Sequence, residues 1–224
     1  MPNSRNLPLL IFDLDGTLID SASDILVALN HVLKKYNRNQ VDLLTLTSHI
    51  GDGLDKLVND FFPEYQINSK ENSEKVDEFL DLYNDEHLTA LTVLYPGVYD
   101  FLSQYQGPKA LITNKSIKPT LQIFEHFNLH KLNWVEVIGG DSLSERKPSP
   151  LPLHTVMKKI NYSPSNTWMI GDGRPDMISA KAAGCNKAAV HYGYSHPHEL
   201  ELFEPDFVLN NFNDIKFLPA LKNL

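Results

Sequence analysis

Leu9-Leu10-Ile11-Phe12 is an uninterrupted apolar run that stops at Asp13, the pattern of a strand buried on both faces. Behind it the period changes. Ser21-x-x-Asp24 has the form of a capping box with Asp in the acidic position. Ile25, Leu26, Leu29, Val32, Leu33 and Tyr36 then recur at helical spacing. Further helical patterns cover 42–48, 53–62 and 73–90, the last carrying Val76, Phe79, Leu80, Tyr83 and His87. Between about residue 19 and residue 92 no strand pattern occurs, which predicts a helical block.

After Tyr95-Pro96-Gly97 strands and helices alternate. A helix with Val98, Phe101, Leu102 and Tyr105 leads to a strand at 109–113, and a helix at 117–128 to a strand at 135–138. A helix at 150–160 then precedes a strand at 167–170, a helix at 175–183 precedes one at 188–191, and Phe207–Leu209 is a candidate last strand. This alternation predicts an α/β fold, a Rossmann-like, mostly parallel sheet with helices on both faces. The first strand belongs to that sheet, because alone its backbone and both apolar faces would be unpaired. Residues 19–92 are therefore expected to be an all-helical insertion into a core made of 1–18 and 93–224.

Composition narrows the class. With 20 basic and 28 acidic side chains the formal charge is −8, which argues against a broad nucleic-acid surface or attraction to anionic membranes. The single cysteine, Cys185, excludes an internal disulfide framework and reads as a small core residue. The apolar run at Leu7–Phe12 is too short to span a bilayer and has no secretory cleavage pattern after it. A soluble, cytoplasmic protein is the expectation, its oligomeric state unreadable.

In open α/β sheets ligands bind beyond the carboxyl ends of the strands, so the residues there carry the chemistry. They are Asp13-Leu14-Asp15-Gly16-Thr17, Thr113 and Asn114, Lys147-Pro148, and Gly171-Asp172-Gly173-Arg174-Pro175-Asp176. Asp13, Asp15, Asp172 and Asp176 bring up to four negative charges to one rim, against one from Lys147. Such crowding calls for a divalent cation, and oxygen donors without His or Cys favour Mg²⁺ over zinc. A phosphoryl group held by Lys147, Thr113 and backbone N–H groups would complete the balance.

These motifs, DLDGT, LITN, RKPSP and IGDGRPD in that order, resemble those of the haloacid dehalogenase-like hydrolases, in their phosphatase branch. The helical insertion is similar to the C1-type cap of that family. DLDGTLIDSASDI, HIGDGLDKLV and YPGV resemble the phosphoglycolate phosphatase group within it. The resemblance implies Mg²⁺-dependent hydrolysis of a small phosphorylated metabolite. It makes Asp13 the nucleophile, Asp15 the acid and then the base, and Gly16, Thr113, Asn114 and Lys147 the substrate-binding set. Gly16 is expected to turn the backbone so that amides face the phosphate. Asp13, the Asp15 carbonyl and Asp172 would bind the metal, with Asp176 orienting them from behind. An acid two residues past the nucleophile fits an alcohol leaving group, whose oxygen needs a proton. Gly173, where relatives often carry Ser or Thr, and Pro175 depart from the pattern.

Blander readings compete. DxDGT alone can be a turn, and Thr113 can cap the helix beginning near Ile117, although Ser116 suits that role better. Gly51-Asp52-Gly53 and Gly171-Asp172-Gly173 lack the third glycine of a dinucleotide loop. His191, His196 and His198 match no zinc spacing and read as a polar loop. Arg174 and Lys56 read as solvated side chains. A sugar-phosphate mutase, or a slow phosphate-binding module, would share the four motifs; the loop His49–Leu54 is the expected specificity element.

Overall fold

In the computed structural model, which describes residues 7–65, 69–82 and 88–222, Leu9–Phe12 forms strand β1 and is buried at every position. Its side chains alternate between two apolar clusters, as a two-residue period requires. Leu10 and Phe12 face one, with Ile123, Phe124 and Phe212. Leu9 and Ile11 face the other, with Leu153, Val156 and Ala180. No polar side chain fits on either face, which is why the run reads as it does.

β1 pairs in parallel with β4 (Lys109–Ile112) on one side and β6 (Thr167–Gly171) on the other. β5 (Glu136–Ile138) continues beyond β4, and β7 (Asn186–Val190) and β8 (Phe207–Leu209) beyond β6, all parallel. The spatial order is β5-β4-β1-β6-β7-β8. The direction of winding reverses between β1 and β6, and at such a switch point the loops diverge and leave a crevice. Helices α5 (Val98–Gln104) and α6 (Ile117–His126) cover one face, α7 (Leu151–Ile160) and α8 (Arg174–Ala183) the other. α9 (Pro197–Glu201) is a single turn in what reads as a polar loop.

Two short strands flank the helical segment. β2 (Ile19–Asp20) and β3 (Val93–Leu94) pair antiparallel, Ile19 with Leu94 and Asp20 with Val93. Two residues carry no period, so this ribbon is invisible to pattern reading. Between them lie α1 (Ala22–Lys35), α2 (Leu43–Thr47), α3 (Leu54–Phe61) and α4 (Lys70–Leu82). α4 starts before the expected residue 73; Tyr83, His87 and the side chain of Leu80 lie outside the described residues. Among the described residues no helix is long and apolar enough to cross a membrane.

The expected capping box does not form. Ser21 stands at the N-cap of α1 but makes no capping bond with its side chain. Asp24 is fully buried and accepts instead from the N–H groups of Leu91 and Thr92 and from the Thr92 hydroxyl, at 2.7–3.0 Å. A local motif has yielded to a long-range one: this carboxylate joins the first turn of α1 to the chain entering β3. Ser116 likewise makes no cap bond; Asp141 accepts from Ile117 N–H at 2.7 Å in its place.

Asp24→Ala would take the acceptor from the N–H groups of Leu91 and Thr92 and leave the Thr92 hydroxyl only Leu88 O, at 3.4 Å. Urea denaturation is expected to show a loss of about 3 kcal/mol. A change below about 1 kcal/mol would mean that water replaces the carboxylate at no cost.

Candidate active site

Because the sheet is parallel, the first residues past β1, β4 and β6 emerge on one edge. Asp13 N–H donates to Ile170 O at 2.9 Å, so the loop stays joined to β6 for one residue beyond β1. Thr113 N–H donates to Ile138 O at 3.0 Å and does the same between β4 and β5. These bonds hold Asp13 and Thr113 at a set height above the sheet.

Lys147 arrives from the loop after β5 and is buried. Its Nζ donates to Ile112 O at 2.7 Å and Asp176 Oδ1 at 2.6 Å, and lies 2.9 Å from Asp13 Oδ1. The Asp13 contact is an ion pair without hydrogen-bond alignment. Burial works against the ammonium, but Asp13 and Asp176 outweigh it and raise the Lys147 pKa. The lysine stays charged.

Asp13, Asp172 and Asp176 are all buried, with one oxygen of each within 4.8 Å of the others. Burial, then the charge of Asp13, pushes Asp176 up to about 7 despite Lys147, and Asp172 is raised well above the ordinary range by burial, Asp13 and Asp176. Three carboxylates against one lysine leave an excess of negative charge, and the donors are all oxygen. This set fits a hard divalent cation, which would let all three ionise. Asp176, expected behind the ligands, stands as near as the others, but Lys147 and Gly173 N–H (2.9 Å) already occupy its oxygens. That N–H bond accounts for the departures in the fourth motif. The Asp176 carboxylate covers the start of α8, so Gly173 needs no side chain, and Pro175 sits in the first turn, where its missing donor costs nothing.

Gly16 has a task beyond the expected turn. Its N–H donates to Ile19 O at 2.9 Å and is not available to a ligand. Its φ of +77° suits glycine, and a Cβ there would lie 2.1 Å from Asp172 Oδ2. Gly193 presses on the same carboxylate, with a Cβ position 2.3 Å from Asp172 Cβ. Asp172 itself accepts from Thr17 Oγ1 (2.9 Å) and Tyr194 N–H (2.8 Å). The N–H groups of Leu14 and Asp15 have no acceptor among the described residues, which leaves both donors open to an anion.

Asp15 stands outside the cluster of three carboxylates. It accepts from Ser21 Oγ at 2.5 Å, and Lys115 Nζ lies 3.1 and 3.0 Å from its two oxygens. Asp13, Asp15, Thr113, Asn114 and Lys115 line a cavity of about 80 Å³, which His49, Ile50, Gly51, Gly53 and Leu54 close from the helical segment. Asn114 Nδ2 donates to Gly51 O and Lys147 O, both at 2.9 Å, so it ties the closing loop to the sheet edge, while its Oδ1 is buried without a donor. Thr113 Oγ1 accepts from Lys115 N–H at 3.2 Å.

Arg174 is exposed and Lys56 pairs with Asp60; neither lines the cavity. His198 pairs with Glu201, and the three histidines form no cluster among the described residues. Cys185 is buried, its thiol pushed up to about 12 by that burial. Lys115, Ser21 and Tyr194 escape sequence reading. The phenol of Tyr194 accepts from Ser21 and Ala22 N–H, at 2.7 and 3.0 Å, and donates to Asp20 Oδ1 at 3.0 Å. It supplies the cap that Ser21 does not. Only the position of Lys115 directly after Asn114, beyond β4, could have singled it out.

Residues 10–190 match the family model of the haloacid dehalogenase-like hydrolases. The chain is 35% identical over 215 residues to phosphoglycolate phosphatase 1 of Pseudomonas aeruginosa, covering 92% of this chain and 78% of that one. It is 32% identical over 218 residues to phosphoglycolate phosphatase of Vibrio parahaemolyticus, covering 94% and 95%. The crystal structure of a protein described as a predicted phosphoglycolate phosphatase, from Haemophilus somnus, superposes with a TM-score of 0.84 at 30% identity, covering 94% and 96%. A haloacid dehalogenase-like family hydrolase from Streptococcus pneumoniae, at 23% identity, shares the fold with a TM-score of 0.81.

Asp172 and Asp176 have folded-state pKa values above their unfolded ones, so the metal-free native protein holds protons that the unfolded chain releases. Their contribution is fully present below the unfolded carboxylate value and is lost as pH rises through their raised folded values, about 7 for Asp176. Thermal melts in chelator are expected to show stability falling between about pH 5 and about pH 8, with a shallower fall in Asp176→Asn. Added divalent cation should restore more stability at the higher pH. Melts that respond to neither pH nor cation would show that the carboxylates are not in conflict.

Proposed function

This chain belongs to the haloacid dehalogenase-like hydrolases and is a phosphatase of small phosphate esters, and we propose that its substrate is a cytoplasmic monoester of the 2-phosphoglycolate class, cleaved with Mg²⁺ through an aspartyl-phosphate on Asp13. The observation that carries this reading is the placement of Asp13 and Asp15 on one small cavity, with Lys147 against Asp13 from behind.

Asp13 attacks phosphorus in line, and the bond from phosphorus to the ester oxygen breaks. Asp15 gives its proton to the departing alkoxide, then takes one from the water that attacks phosphorus and releases Asp13. Ser21 and Lys115 hold the Asp15 carboxylate towards the cavity for both tasks. Lys147, Thr113 and the Leu14 and Asp15 amides stabilise the charge on the phosphoryl oxygens. Asp13, the Asp15 carbonyl and Asp172 would hold Mg²⁺, with Asp176 keeping Lys147 and the start of α8 in place. Bound there, the ion neutralises the crowded carboxylates and favours a dianionic phosphoryl group.

Residues 19–92 act in this proposal as a cap on a core of 1–18 and 93–224, with the β2–β3 ribbon at the crossing. Closure of the His49–Leu54 loop excludes water and selects the part of the substrate beyond the phosphate. A cavity of about 80 Å³ supports a short ester over a sugar bisphosphate. A panel of phosphoglycolate, sugar phosphates, nucleotides and pyrophosphate, read by phosphate release, tests the reading. A preference for sugar bisphosphate-dependent transfer would replace it.

Asp13→Asn is expected to keep the fold and lose at least about 1,000-fold in kcat, because an amide cannot form the acyl phosphate. Chelator should abolish turnover and Mg²⁺ restore it, with Ca²⁺ a poor substitute because its larger, looser shell misplaces an in-line attack. Asp15→Asn separates the half-reactions. Natural esters should stall before the phosphoenzyme, since an alkoxide leaves poorly without a proton. p-Nitrophenolate needs little help, so rapid quench should show a burst approaching one nitrophenolate per site, then slow turnover. Equal slowing of both esters without a burst would remove Asp15 from acid–base duty.

A further inference from the structure

Among the described residues lining the cavity, Lys115 is the one lysine or arginine. Its side chain is 10% exposed, and its ammonium lies 3.0 Å from Asp15 Oδ2 and 3.1 Å from Oδ1. The wall beyond is apolar, from Ile25, Ile50, Leu54, Leu57, Phe79 and Pro119. On the phosphatase reading, on which this inference rests, the ester oxygen must come within hydrogen-bond distance of Asp15 to receive its proton. An atom two bonds further along the leaving group can then come within reach of the Lys115 ammonium, 3.0 Å from the same carboxylate. A carboxylate there, with no cation beside it, would meet Asp15 as a like charge in an enclosed site. With Lys115 between them, one ammonium serves both.

We infer that Lys115 is a specificity-determining residue, which binds the carboxylate of phosphate esters carrying that group one or two carbons from the ester oxygen. The apolar wall sets the length, and Lys115 sets the charge. The residue reads the leaving group and affects transfer to Asp13 only through its hold on Asp15. Loss of its contact to Asp15 slows every ester, so discrimination rather than rate is its signature.

The full chain with Mg²⁺ is assayed on 2-phosphoglycolate and on hydroxyethyl phosphate, which carries CH₂OH in place of the carboxylate. The wild type is expected to favour the carboxylate ester by at least about tenfold in kcat/KM. Lys115→Gln should lose that preference, chiefly through KM for 2-phosphoglycolate, whatever factor it loses on both esters through Asp15. Lys115→Arg should retain it, because the charge remains. A preference preserved in Lys115→Gln overturns the inference, as does one lost equally in Lys115→Arg. Should Lys115→Gln not fold, the arginine variant against the wild type decides. A wild type that hydrolyses both esters equally overturns the assignment and leaves the phosphatase standing. A wild type that releases phosphate from neither, nor from p-nitrophenyl phosphate, fails the reading beneath it instead.

Discussion

One buried ammonium determines how the site is assembled. Lys147 touches the last residue of β4, the Asp13 carboxylate after β1 and the carboxylate of Asp176 on α8. A cation taken this far from water is stable only while its anionic partners stand in contact, and those anions are tolerable only while the cation remains. Each of three loops therefore has one position in which the charges balance. Neutralising Lys147 would leave two buried carboxylates facing each other without compensation, and the loops would have no common centre.

That balance is incomplete by design of the donor set. Three carboxylates gather round one lysine, and Asp172 and Asp176 are pushed towards neutrality as a result. Strain of this kind belongs to binding sites, where a ligand supplies the missing charge. The backbone makes room for the crowding. Gly16 and Gly193 pack on Asp172, and Gly171 on Asp176, at distances that any side chain would violate. Glycine here permits close approach of carboxylates more than it permits a turn.

The helical segment is joined to the same centre by polar contacts. Asp24 joins the start of α1 to the chain returning at Thr92, and Tyr194 caps α1 while its own N–H holds Asp172. Asn114 holds Gly51, and Arg146 pairs with Asp55 at 3.2 Å. Burial, with the nearby Asp15 and Asp20 charges, raises the Tyr194 phenol, so it remains a donor to Asp20 while accepting from α1. The residues that shape the ligand space and those that set the charge thus meet across these hydrogen bonds, beside an apolar cluster that runs from the sheet into the helical segment.

Much of this was legible in the chain. Leu9–Phe12, the alternation after Tyr95, the position of Asp13, Thr113 and Asp172 just past strands and that of Lys147 in the loop after β5 follow from period and from where parallel strands end. Local chemistry decides those features, so a single sequence carries them. The ribbon β2–β3 was not legible, because two residues have no period. Asp24, Ser21 and Ser116 read as caps, since a capping box is a local preference that any stronger distant partner overrides. Gly16 reads as a turn, whereas its main constraint is Asp172, 156 positions away in the chain. Lys115 was one more polar loop residue until the fold set it against Asp15. Side chains such as these take their role from what lies opposite, and that is decided by tertiary packing, where sequence neighbours have no say.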